Sequence, residues 1–275
     1  MTRTLTAVAA LTVTGLALPV AASTITIDNF TVAQQVQDLP GGLVNSSTVG
    51  SAAETSILGG YRYLQVETLG NALDPGAPLG TGQTTFTAEN GTLNFVNGPT
   101  AIGRGWVVYD GDSDTGSQAV VPTVAGLSFG APVRTNVFLA DLLMGNPTGS
   151  LAFNVDDIDK FDVGDFIFKA FAWDTNNLAV AYRESIDPFN FSPILPFSDF
   201  RTDWSDPTTS VNTFAWGSVT ALAFSIESTV NAADGVIFSI TATPIPLPAS
   251  AFLLLGGLGG LAGLSAAAKR RRKMA

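Results

Sequence analysis

Neither cysteine nor histidine occurs anywhere in the 275 residues. Without thiols the chain forms no disulfide and offers no thiolate nucleophile or Cys-ligated zinc. Without imidazole there is no Ser-His-Asp triad, no His-ligated metal and no histidine general base. An enzyme made from this inventory works with carboxylates, Tyr, Lys or a Ser–Lys pair. Cations are also scarce, 13 Lys and Arg against 23 Asp and Glu, and they are unevenly placed. Arg3 and the five cations of 269–273 take six of the 13, leaving seven against all 23 acids, a formal charge of −16 for the stretch between. So acidic a surface repels nucleic acid and anionic lipid and suits cation binding. Helical periodicity is missing too: nowhere in 24–243 do apolar residues keep helical spacing for three turns.

The ends of the chain supply the long apolar runs. Residues 249–268, about 20 residues at a rise of about 1.5 Å, match a bilayer core about 30 Å thick. Lys269, Arg270, Arg271, Arg272 and Lys273 follow directly. Cations beside a span are retained in the cytoplasm, so the reading is one transmembrane helix at 249–268, a basic cytoplasmic tail at 269–275 and an exported region before it. Gly256 and Gly260, then Gly259 and Gly263, are spaced four apart and present small faces for close helix contact. At the front, Arg3 precedes an apolar stretch over residues 5–20, and Ala21, Ala22 and Ser23 are the small residues signal peptidase requires. Residues 1–23 read as a signal peptide cut after Ala22 or after Ser23, making the Sec machinery and signal peptidase the first partners.

Ile245, Pro246, Leu247, Pro248 and Ala249, the glycine-rich span and the Arg-rich end together resemble a PEP-CTERM sorting signal, specifically the variant whose motif reads VPLPA, with Ile245 in place of Val. The resemblance covers the last thirty residues or so and lacks the central Glu of the standard motif. It implies a membrane-embedded exosortase-type cysteine protease that cuts near the Pro motif, against which the small faces of the span would dock. It also implies passage through the inner membrane to the cell envelope, outer surface or medium of an exopolysaccharide-producing Gram-negative bacterium.

Between the signals, residues 24–243 read as one all-β domain with Pro and Gly punctuation. Alternating patterns predict strands at 24–30, 61–68, 91–97, 103–109, 136–142, 150–155, 165–173, 178–184, 219–228 and 236–243. Loops are expected at 38–56, 69–83 and 187–206, and residues 244–248 read as an extended linker outside the fold, since alternate prolines cannot donate to a ladder. About ten to twelve strands without an internal repeat argue an antiparallel β-sandwich or barrel. The order of landmarks IDNF, YRYLQVE, GTLNFVNG, a Gly-aromatic strand ending in YDG, FSDF and VIFSIT resembles envelope modules of the galactose-binding-like jelly-roll type, which implies a sandwich.

Three groups of residues bear on chemistry. Asp110, Asp112 and Asp114 alternate with Gly111 and Gly116 close by, reading either as a structural Ca²⁺ loop or as a solvated acidic turn. The acidic stretch 154–165 is a second source of Ca²⁺ ligands. Trp204, in RTDWSDP between Asp203 and Asp206, is the aromatic best placed to face a sugar, whereas Trp106 and Trp173 lie in strands and read as core. Phe189, Phe191, Phe197 and Phe200 are suited to plug a sandwich end. Glu67 and Glu184 are the acids on predicted strands that a glycosidase would need opposite one another. The expectation is an exported envelope or matrix protein without enzymatic activity, contacting exopolysaccharide and no nucleic acid. The competing class is a secreted carbohydrate-active hydrolase using carboxylates.

Overall fold

The computed structural model describes residues 23–38, 45–70, 83–113, 127, 139–144, 148–158, 166–176, 178–186, 194–206, 213–231 and 234–245. All lie in one compact unit, Ala22–Ile245. The signal segment through Ala22, the sorting motif from Pro246 on, the apolar stretch 249–268 and the basic tail fall outside the described residues. Among the described residues no helix is long and apolar enough to cross a membrane.

Thirteen strands are formed among the described residues. The first seven are β1 (Ile25–Asp28), β2 (Gln34–Asp38), β3 (Asn45–Gly50), β4 (Tyr61–Gly70), β5 (Thr84–Glu89), β6 (Thr92–Asn97) and β7 (Ile102–Tyr109). The rest are β8 (Thr148–Ile158), β9 (Phe166–Asp174), β10 (Ala179–Ile186), β11 (Ile194–Pro196), β12 (Val219–Ser228) and β13 (Asp234–Ile245). Seven make one sheet in the order β11-β8-β13-β6-β5-β2, with β1 also on β13; six make the other, β10-β9-β12-β7-β4-β3. β13 is flanked by β6 along its first half and by β1 along its second. All pairings are antiparallel.

The period of two places the core. Leu64 and Val66 of β4, Val107 and Tyr109 of β7 and Leu222, Phe224 and Ile226 of β12 meet Phe86 of β5, Phe95 of β6, Phe153 of β8 and Ile240 of β13 in one buried cluster. Phe153 lies edge-on to Phe168 and Phe224 at 4.9 and 5.0 Å between ring centroids, the T-shaped arrangement aromatic quadrupoles favour. Asn90 and Gly91 join β5 to β6 with φ of 51° and 84°, the two left-handed residues of a tight hairpin turn.

Both open sides of the sandwich are guarded. Gln34 Nε2 donates to Ser47 O at 2.8 Å and Asn45 Nδ2 to Gln37 O at 2.8 Å, tying edge strand β2 to edge strand β3. On the other side, Ala181 of β10 exchanges two backbone hydrogen bonds of 2.8 Å with Arg201, and β11 is three residues long and ends in Pro196. Capped, short or Pro-bearing edges resist pairing with a second chain.

The interior closes differently at its two ends. At one, Phe197 stacks on Trp216 at 3.9 Å while Phe200 and Phe214 meet the same indole edge-on at 4.9 and 4.6 Å. Phe197 and Phe200 thus sit in an aromatic plug; Phe189 and Phe191 lie outside the described residues. At the other end the inward row is polar: Asp38, Thr84 and Asn97 share one register row of the seven-stranded sheet. Thr68, Gly103 and Ser228 of the six-stranded sheet face them. Thr68 Oγ1 donates to Thr84 Oγ1 (3.2 Å), Thr84 Oγ1 to Asn97 Oδ1 (2.9 Å) and Asn97 Nδ2 to Ser228 Oγ (2.7 Å). Gly103 N donates to the same Ser228 Oγ at 2.9 Å. Each such bond satisfies a group that would otherwise be costly to bury.

The structure departs from the sequence reading in several places, beginning with β2 and β5, strands that the reading did not name. β3 lies in the expected loop 38–56; its small polar side chains have no apolar face, yet pairing with β4 gives it a ladder. β11 and the 3₁₀ turn Phe197–Asp199 lie in the expected loop 187–206. The strand expected at 136–142 is, within the described residues 139–142, only a bridge between Ala140 and Val219, because β12 already has β7 and β9 on its two sides. Finally, β13 runs two residues past the expected boundary at Thr243, with Pro244 opposite Gly149 and Ile245 opposite Thr148. Pro244 is tolerated at a strand end beyond the last β1 partner, Ala242.

Candidate functional site

The outer face of the six-stranded sheet, turned away from the core, carries a second apolar cluster. Alternation sends Trp106 and Val108 of β7 to this side while Val107 and Tyr109 face inward, so GWVVY is apolar on both faces. Tyr63, Phe171, Trp173, Ala181, Ala221 and Ala223 join them. Ala221, Ala223 and Ser225 along β12 form a floor of small side chains. Their register partners are Trp173, Phe171 and Lys169 on β9; Ala223 and Ser225 face Val108 and Trp106 on β7. Phe171 and Trp173 lie parallel at 6.0 Å. Leu127 and the half-buried Trp204 pack onto this cluster.

Trp204 was the aromatic expected to face a ligand. Its indole N–H donates to Ala181 O at 2.6 Å, and Tyr182 meets it edge-on at 6.3 Å, so the side chain is clamped over β10 with part of its surface open. Trp106 and Trp173 are buried, at 2% and 0% exposure, but in this outer cluster and not between the sheets.

One row further along the same face the side chains are charged. Glu67 of β4, Arg104 of β7 and Glu227 of β12 are register neighbours. Arg104 Nη2 lies 2.7 Å from Glu67 Oε2 and Nη1 lies 3.6 Å from Glu227 Oε2, while Lys169 Nζ reaches Glu227 Oε2 at 3.4 Å. Acid and base thus alternate across four strands. The Arg104 guanidinium also lies 4.3 Å above the Trp106 ring, a cation–π contact. The row is about a quarter exposed at Glu67, Arg104 and Glu227, so solvent screens it in part. Part-exposed carboxylate acceptors and a planar guanidinium donor are groups that grip vicinal hydroxyls, whereas the Trp106 ring, buried beneath Arg104, serves to hold that guanidinium in place.

Glu67 therefore shares Arg104 with Glu227, an acid that sequence spacing did not place beside it, and the two flank that guanidinium instead of facing each other across an open cleft. Glu184, the other acid singled out, accepts the Tyr182 hydroxyl at 2.9 Å. Burial, and after it that bond, raises the Tyr182 phenol above its ordinary range. Asp110 is buried where β7 ends, and its Oδ1 accepts the N–H of Asp112 at 3.2 Å, the geometry of an acidic turn. Asp114 lies outside the described residues, as do residues 159–165 of the second acidic stretch. Among the described residues no three acidic side chains gather as a metal group. Ser23 donates its hydroxyl to Met144 Sδ at 3.1 Å, and Ile245 stands half exposed at the end of β13.

A further polar group was missed because its parts are distant in sequence. Arg62 and Asp28, both fully buried, pair at 2.9 Å; Arg62 Nε donates to Gln34 Oε1 at 2.8 Å and Tyr109 Oη to Asp28 Oδ2 at 2.9 Å. Arg62 also donates to Val32 O. Burial raises the Asp28 carboxyl despite the opposing pull of Arg62, and burial, then the Asp28 charge, pushes the Tyr109 phenol well up. This network pins β1 and β2 to β4 and β7.

No family model matches the chain, and no curated protein is similar to it. Among solved structures, the enzymatically active domain of tailspike protein 4 from bacteriophage CBA120 is similar at 8% identity and a TM-score of 0.28. The match covers 80% of this chain and 21% of that one, so the chain spans about a fifth of the length of the structure it matches. A likeness that loose assigns neither fold nor activity.

Proposed function

We propose that the chain is an exported cell-envelope or matrix protein whose β-sandwich, of the galactose-binding-like jelly-roll type, binds neutral carbohydrate or acts as a scaffold, without catalysing a reaction. The observation that carries this reading is the part-exposed row of Glu67, Arg104 and Glu227 on the outer face of the six-stranded sheet, with Lys169 at its end and the half-buried Trp204 on the same face. Two closed sandwich ends and two acids tied to a single Arg104 favour binding over hydrolysis. The signal peptide at 1–23 and the PEP-CTERM-like tail supply the route: Sec export, a transient inner-membrane intermediate with the C-terminus in the cytoplasm, and release by an exosortase-type enzyme.

An immobilised-glycan assay with the envelope polysaccharide of the producing organism tests the domain's role. Binding should weaken on Arg104→Met and on Trp204→Ala, with no reducing ends released. Release of reducing ends, lost on Glu67→Gln or Glu227→Gln, would establish the hydrolase. Absence of both binding and cleavage would leave the scaffold.

A further inference from the structure

We infer that the polar end of the sandwich is a cation site built on Asp38, one that binds a hard divalent ion of the calcium class. Asp38 closes β2 and is wholly buried. Its Oδ2 accepts the backbone N–H of Thr68, but its Oδ1 is buried without a hydrogen-bond partner. Among the described residues no Lys or Arg forms an ion pair with it. A buried carboxylate held by one donor and no countercharge is costly, and a fold offsets it by protonation, by an ion pair or by a bound cation.

The neighbours of Asp38 are oxygen donors. Thr84 is its register partner, Asn97 is the register partner of Thr84, and Thr68, which bonds Asp38 through its backbone N–H, turns its hydroxyl to Thr84 Oγ1. Asn97 turns Oδ1 toward Thr84 and sends Nδ2 the other way, to Ser228 Oγ. The row beside Asp38 therefore shows carboxylate, hydroxyl and amide oxygen, with no nitrogen or sulfur ligand. Hard oxygen donors select Ca²⁺ or Mg²⁺ over softer transition metals. Ca²⁺ accepts irregular coordination completed by water, which suits a side-chain row of this kind better than the strict octahedron of Mg²⁺. The −16 charge of the stretch between the signals concentrates divalent cations around the domain.

This site is not the Asp110 turn. Gly103, in the polar layer, and Asp110 are seven residues apart along one strand, about 23 Å at about 3.3 Å per residue. The inference is also independent of glycan binding.

The test uses the full-length chain in detergent, stripped with EDTA and titrated with Ca²⁺, with native mass spectrometry for stoichiometry and thermal denaturation for linkage. Added Ca²⁺ should raise Tm in proportion to the logarithm of its concentration. Asp38→Asn should abolish that rise, while Asp110→Asn/Asp112→Asn should keep it. Should Asp38→Asn not fold, Thr84→Val supplies the second arm: the carboxylate remains, a hydroxyl ligand is lost, and Ca²⁺ affinity should fall roughly tenfold. The inference is overturned by a wild-type chain that neither binds Ca²⁺ nor responds to it. It is equally overturned by a response that survives Asp38→Asn, by one that disappears with Asp110→Asn/Asp112→Asn, or by Thr84→Val binding as tightly as wild type.

Discussion

Gly103→Ala should be among the most damaging single-methyl additions to this chain. A Cβ at Gly103 would overlap Thr84 Oγ1 and stand 2.5 Å from both Asn97 Oδ1 and Thr84 Cγ2. None of these is the free end of a long side chain, and Thr84 is held by hydrogen bonds on both sides. Accommodating the methyl means moving β7 away from β5 or turning Thr84 and breaking its bond to Asn97. Overpacking of this kind costs about 1–3 kcal/mol, and each buried polar group left unpaired about 1–3 kcal/mol more. The sum, about 2–6 kcal/mol, is a large part of the roughly 5–15 kcal/mol by which domains are stable. With a urea slope of about 1–3 kcal/mol/M, the denaturation midpoint read by tryptophan fluorescence should drop by about 1 M or more. Thr84→Ala removes two of the three atoms in the way and frees Asn97 to turn aside, so the double variant should be more stable than the two single losses add up to, by about 1 kcal/mol or more. A Gly103→Ala chain within about 0.5 kcal/mol of wild type, or strictly additive losses, would refute the packing of this layer.

Asp28→Asn removes one partner of the fully buried pair and should cost about 3–5 kcal/mol in denaturant titration. Because burial raises the Asp28 carboxyl, the folded chain holds that proton more tightly than the unfolded one. In the window between the ordinary carboxylate value and the raised one, stability from this group grows as pH falls, so wild type should gain on Asp28→Asn as the pH is lowered through that window; a relative loss on acidification would reverse the assigned direction. Trp204→Ala uncovers the outer cluster and frees Ala181 O from its indole donor; a cost of about 1–3 kcal/mol is expected for this half-buried ring, together with new binding of a hydrophobic dye, and a silent variant would mean Trp204 packs on nothing of consequence.

Much of the sandwich was legible. In VTALAFSIES the alternation of Leu222, Phe224 and Ile226 with Ala221, Ala223 and Ser225 marks a strand outright, and because neither set is charged it also marks a central one. YRYLQVE reads the same way, with Leu64 and Val66 inward and Tyr63, Gln65 and Glu67 outward. Of the strands that escaped, two lack that contrast. β3 is NSSTVG, whose strand state comes from β4 and not from a face of its own, and β11 is too short to show a period. β5 was readable after all: TTFTAE alternates, and Asn90-Gly91 behind it is a hairpin turn signal. The outer cluster was hidden by the habit of assigning every strand aromatic to a single core, although GWVVY is apolar on both faces. Nothing local links Asp28 to Arg62 and Tyr109, or Asp38 to Thr84 and Asn97. Those groups exist only because the topology lays β2 beside β5 and β4 beside β7, and pairing order is not written in the period of any one strand.

The most direct measurement is the intact mass of the protein recovered from the envelope and the medium of the producing cell. An exported, tail-sorted sandwich should begin at Ser23 or Thr24, should keep β13 as far as Ile245, and should lack Lys269–Ala275 together with the apolar stretch before it. Recovery of most of the protein with residues 249–275 still attached would contradict the account and make the tail a permanent anchor.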